Sequence, residues 1–164
     1  MDETLSRALK LLKNTTPLKQ DCGGLCASAC CKDEGELGAS VWLAPGEEAA
    51  KMPWGSVSDA VMPVTQTWVS ALYCHAPCNR DLRPFMCRIF PLSPYYSQKR
   101  GEWDVRIDRR AAPVCPLFRY GKASLDPAFV EAARRAVRLL AEEPGWESWL
   151  KKLEAEEAAY RMEL

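Results

Sequence analysis

Four cysteines fall in one short run, Cys22-Gly-Gly-Leu-Cys26-Ala-Ser-Ala-Cys30-Cys31, and four more follow at Cys74, Cys78, Cys87 and Cys115. Thiols this crowded bind metal or pair as disulfides, and either outcome constrains the fold around them. The residues between them (Gly23, Gly24, Ala27, Ser28, Ala29) are small enough for the backbone to wrap closely around something bulky.

Compartment decides between the two outcomes. Eight cysteines in 164 residues is about 5%, below the ~8–10% of small disulfide scaffolds. The start, Met1-Asp2-Glu3-Thr4-Leu5, carries no apolar signal core. No apolar run approaches the ~18 residues of a membrane span. The expectation is a cytoplasmic protein with no membrane partner, in a reducing medium where such spacing favours metal or redox chemistry over bridges. Twenty-two basic residues balance 22 acidic ones. No basic stripe is visible, so no nucleic-acid partner is expected. The length and an apolar fraction of 48% fit a single domain over 1–164.

The pattern along the chain predicts an α+β fold: a small irregular metal-centred core over 20–117 with a few short strands, an N-terminal helix, and a C-terminal helical hairpin over 124–162. Leu5, Ala8, Leu9 and Leu12 have helical spacing, with Asp2 or Thr4 as cap. Asp33 to Gly38 reads as a polar turn. Ser40–Leu43 reads as a strand, Pro45 to about Met52 as a short helix, and Pro53–Pro63 as irregular. Thr67–Tyr73 is rich in strand formers and runs into Cys74. Four prolines make 77–95 a structured loop. Trp103, Val105 and Ile107 alternate with Asp104, Arg106 and Asp108, as in a strand with one wet face. Asp126-Pro127 opens a helix that Pro144-Gly145 ends. A last helix runs from about Trp146 to Arg161, with Trp149, Leu150, Leu153 and Tyr160 inward. Its apolar face thins at Glu156 and Glu157, so it is expected to pack along part of its length.

Four thiolates select zinc or an iron–sulfur cluster over harder ions. Cys22, Cys26 and Cys30 share one face if their run is helical, and suit a loop around a cluster equally well. Adjacent side chains diverge, so Cys30 and Cys31 do not easily chelate one ion. They serve two centres, one ion and the core, or a polynuclear cluster. Arg83 and Arg88 flank Cys87 and are suited to offset thiolate charge. His75, the sole histidine, is a ligand or packs nearby.

The run Cys22…Cys26…Cys30-Cys31, followed by Arg83-Pro84-x-x-Cys87-Arg88-x-Phe90-Pro91-Leu92, resembles the cysteine-cluster family often called YkgJ-like, described as zinc- or iron-chelating. The resemblance covers about 20–117. It implies that Cys22, Cys26, Cys30, Cys31, Cys74, Cys78, Cys87 and Cys115 are ligands, with Arg83 and Arg88 accompanying the cofactor. The family signature is usually written with two-residue gaps, where this chain has three.

The resulting expectation is a cytoplasmic protein whose cysteines hold an iron–sulfur cluster or zinc, in one centre or two, with no protein partner indicated. The competing readings are a redox or modifying enzyme acting through the centre or reactive thiols, and a disulfide-stapled or thiol-switch protein.

Overall fold

Helix α1 (Glu3–Leu11) begins where the Asp2 carboxylate accepts the Thr4 amide at 2.9 Å and buries Leu5 and Ala8. The computed structural model describes residues 2–32, 39–48, 51–75 and 78–160. The chain is α+β. It has five α-helices, two antiparallel sheets and several 3-10 turns among these residues.

The first sheet, in order β1-β3-β2, contains β1 (Ala39–Trp42), β2 (Gly55–Met62) and β3 (Thr67–Cys74). Its register pairs Val41 and Val57 with Leu72 from either side, and Ala39 and Gly55 with Cys74. The predicted strands at 40–43 and 67–73 are present. The predicted irregular stretch 53–63 is instead strand β2. Most of β2 is solvent-exposed, so it lacks the apolar alternation that marks a half-buried strand. Gly55 is required there: a Cβ would stand 2.6 Å from the Tyr73 carbonyl oxygen. No helix opens at Pro45 among the described residues; Gly46 takes φ +78°, which turns the chain away. The turn expected at 33–38 lies outside the described residues.

The 77–95 stretch is more ordered than its prolines predict. It holds a 3-10 turn (Arg80–Leu82), helix α3 (Phe85–Ile89) and the start of β4 (Leu92–Ser97). Pro84 at the N-cap of α3 and the cis Phe90–Pro91 bond at its end place the prolines at boundaries. Strand β4 pairs with β5 (Glu102–Ile107).

Helices α4 (Pro127–Ala141) and α5 (Pro144–Ala159) cover that second sheet, α4 against β5 and α1, α5 against β4. The Asp126 cap is as expected. Pro144 does end α4, and it also occupies the first turn of α5, where its missing N–H costs nothing. The core is aliphatic and aromatic, built around Leu5, Phe85, Ile89, Val105, Phe129 and Leu150. A second, smaller cluster of Leu43, Met52, Trp54 and Leu72 lies under the other sheet.

Two expectations fail on buried carboxylates. The supposed wet face of β5 is covered: Asp104 is buried and pairs with Arg134 at 2.8 Å and with Arg100. Helix α5 packs through its final turns, because Glu156 and Glu157 are themselves buried and bonded. Glu156 accepts the Val64 and Thr65 amides and the Thr65 hydroxyl, and Glu157 pairs with Arg106 and Arg109. Tyr160 lies beyond the helix and is exposed, and Arg161 is outside the described residues.

Candidate functional site

The first cysteine run is neither one helix nor a plain loop. Asp21 accepts the Gly23 amide through its carboxylate at 3.1 Å, and its carbonyl accepts the Gly24 amide, which starts the four-residue helix α2 (Gly23–Cys26). Ala27 and Ser28 then take left-handed φ values of 50° and 59°. A 3-10 turn follows over Ala29–Cys31. The two left-handed residues break the helical phase, so Cys22, Cys26 and Cys30 do not share a helix face.

The other cysteines come from separate elements. Cys74 ends β3, Cys87 lies on α3, and Cys115 precedes the 3-10 turn Pro116–Tyr120, its amide bonded to the Ala111 carbonyl at 2.8 Å. All eight thiols are free.

Four of them lie in two neighbourhoods. Cys22 and Cys115 pack against the main core, whereas Cys74 and Cys78 pack against the smaller cluster. Their electrostatics divide the same way. Burial pushes the Cys22 thiol up, with Asp21, Cys26 and Cys115 adding to it. Burial also raises Cys115, and Cys26 adds to that. On the other side, burial raises Cys74, with Cys78 and Cys31 contributing. Burial pushes Cys87 well above the thiol range, and Cys74, Cys31 and Cys78 push further. Cys30 feels Cys26 and Cys22; Cys31 feels Cys78 and also Asp21, which acts on Cys22 as well. The consecutive Cys30 and Cys31 sulfurs lie 3.8 Å apart. Within that pair the Cys30 thiol is held up by its bond to Cys31. Cys31 is lowered to about 6, first by that same bond and then, against burial, by the Arg83 charge.

Arg80 acts on Cys22 through its charge, and Arg83 reaches the other side by a direct bond. Arg83 donates from Nε to Cys78 Sγ at 3.0 Å. Arg88, expected to reach sulfur or carboxylate, donates instead to the Arg83 carbonyl at 3.1 Å and to the Asp81 carbonyl. It therefore holds the backbone that carries Arg83. Glu47 was not anticipated. Its carboxylate accepts the Ala44 amide at 2.8 Å and the Phe85 amide, tying the β1 exit loop to the first turn of the helix bearing Cys87. Burial pushes Glu47 up to about 7, against the lowering effect of those two amides and Arg88. No spacing rule picks out this residue, because the bond spans two distant loops. His75 bonds Ser56 Oγ through Nε2 at 2.8 Å.

Among the described residues, no three or more His, Cys, Asp or Glu side chains already stand in the arrangement of a metal site. No helix of the described residues is long and apolar enough to cross a membrane. No protein-family model, curated protein sequence or solved structure matches the chain.

Proposed function

We propose that this chain is a metal-binding protein with two adjacent four-thiolate centres, one from Cys31, Cys74, Cys78 and Cys87, the other from Cys22, Cys26, Cys30 and Cys115. The observation that carries this reading is that, with all eight thiols free, Cys22 and Cys115 pack against the main core while Cys74 and Cys78 pack against the smaller cluster. Four sulfurs are the full complement of a structural zinc or of a cubane iron–sulfur cluster. The resemblance to YkgJ-like proteins agrees with it. The three-residue gaps favour an iron–sulfur cluster over zinc.

Neutral thiols have no attraction that would draw them to bonding distance. A soft cation supplies it once they ionise, and metal binding releases their protons. Bound metal would stabilise the thiolates. The protein's own contribution is to hold Cys87 through Glu47 and Phe85, and to offset thiolate charge with Arg83. The chemistry suits a reducing compartment such as the cytoplasm.

Purification without oxygen, followed by absorption spectroscopy, elemental analysis and sulfide determination, tests the proposal. Brown protein with sulfide, or colourless protein with two zinc ions per chain, is the expected outcome. Metal-free protein with eight titratable thiols, or with disulfides, overturns it. The 3.8 Å Cys30–Cys31 contact favours a second reading, one polynuclear cluster across both groups. It is close to the sulfur–sulfur edge of a tetrahedral zinc site, about 3.8 Å for ~2.3 Å bonds. Cys115→Ser separates the two. It removes about half the metal from two centres, but most of it from a single cluster.

A further inference from the structure

Strand β1 stops short of the full length of β3. It ends at Trp42 opposite Ala71, and one further bond follows, from the Leu43 N–H to the Ser70 carbonyl at 2.8 Å. The chain then peels away. The Ala44 N–H turns to the Glu47 carboxylate at 2.8 Å, and Gly46 takes φ +78°. In an antiparallel ladder the N–H and carbonyl of one residue point to the same side, and the side alternates along the strand. The Ser70 carbonyl faces β1, so the N–H and carbonyl of Trp68 face that way too, past the end of their partner strand. Helix α5 stands across this open edge. Gly145, Ser148, Trp149 and Lys152 have the spacing of a single helix face, and a cleft of about 360 Å³ lies between them, 43–47 and 67–70. The cleft holds more donors than acceptors. Trp149 is 6% exposed, yet its Nε1–H has no partner among the described residues. A buried donor left so is costly until an acceptor reaches it. Lys151 takes Glu147, whereas Lys152 has no ion pair among the described residues. Glu47, the acid at the cleft, already gives its oxygens to the Ala44 and Phe85 amides.

We infer that this cleft is a docking site for an acidic, extended peptide segment of a partner protein, which adds as a strand to the β3 edge at Trp68 and turns a carboxylate toward Lys152 and Trp149. Backbone pairing along the edge supplies affinity, and the facing side chains of α5 supply selectivity for negative charge. The outer edge of β2 is also open, but the cleft and its unpaired donors lie at this one. The site is independent of any metal the cysteines hold.

The test titrates the full chain into short fluorescein-labelled peptides of alternating valine and glutamate, read by fluorescence anisotropy, with lysine in place of glutamate as the charge control. The glutamate peptide should bind about tenfold or more tightly than its lysine counterpart. N-methylation of the peptide's backbone amides should abolish binding, because the ladder donors are lost. Lys152→Glu should reverse the preference between the two peptides. In nitrogen-edited magnetic resonance spectra the Trp68 amide and the Trp149 indole signals should shift on binding, and the Trp68 amide should exchange more slowly with solvent. No binding of either peptide at millimolar concentration overturns the proposal. So does equal binding of the two peptides, binding that survives N-methylation, or signal shifts confined to Gly55–Met62 on the outer edge of β2.

Discussion

Arg83 and Glu47 both act on Cys87, with opposite signs of charge. The Arg83 bond to Cys78 is a contact of the kind whose loss typically weakens metal binding by about 10–100-fold. Arg83→Gln should therefore lower metal affinity by about that factor, read by competition with a chelator, with little change in the melting temperature of metal-free protein. Glu47 binds its proton more tightly in the folded chain than in the unfolded one, near 7 against an ordinary value of 4.5. Between those two values the folded state holds the extra proton, so stability is fully present below about 4.5 and declines as pH rises through about 7. Urea melts of metal-free protein should lose up to about 3 kcal/mol across that window. Glu47→Gln should flatten the slope, whatever it does to the plateau. Cys31 titrates in the other direction: its thiol, near 6, should be alkylated by iodoacetamide at neutral pH ahead of the others. Cys30→Ala removes its sulfur partner and should move that reactivity to higher pH. The sequence marked Arg83 through its place beside Cys87. It could not mark Glu47, whose partners lie in another loop.

At the scale of elements, the sequence was readable wherever burial leaves a periodic stripe. Helices α1 and α4 carry such stripes and stand within about two residues of where periodicity puts them, while β3 was marked by its strand-forming residues. Strand β2 fails this criterion because its side chains face water on most positions. The end of α5 fails for the opposite reason, since two glutamates sit where leucines are expected. Glu156 binds the turn between β2 and β3 with two oxygens and three donors. Glu156→Ala would leave the Val64 and Thr65 amides without a partner, at a cost of about 2–4 kcal/mol. Thermal or urea unfolding should register that loss. Lys151→Ala, which breaks only the exposed pair with Glu147, should cost no more than about 0.5 kcal/mol.

Across the whole molecule, the cysteines were legible as residues, but the packing of Cys22 and Cys115 on one apolar cluster and of Cys74 and Cys78 on the other was not, because it depends on contacts between distant elements. The main core includes neither Cys30 nor Cys31 nor Cys87. Stripping metal should therefore leave most of the helical circular dichroism intact while hydrogen exchange accelerates over 22–31 and 78–87. Global unfolding on chelation would show that the apolar core cannot stand alone. The smaller cluster also has an optical consequence. Trp54 is buried in the cluster against which Cys74 and Cys78 pack, whereas Trp68 is 73% exposed. Iodide in solution will darken Trp68 and spare Trp54. An iron-containing group held by Cys74 and Cys78 would quench Trp54 by energy transfer, which would make Trp54 emission a gauge of whether the proposed centre is filled.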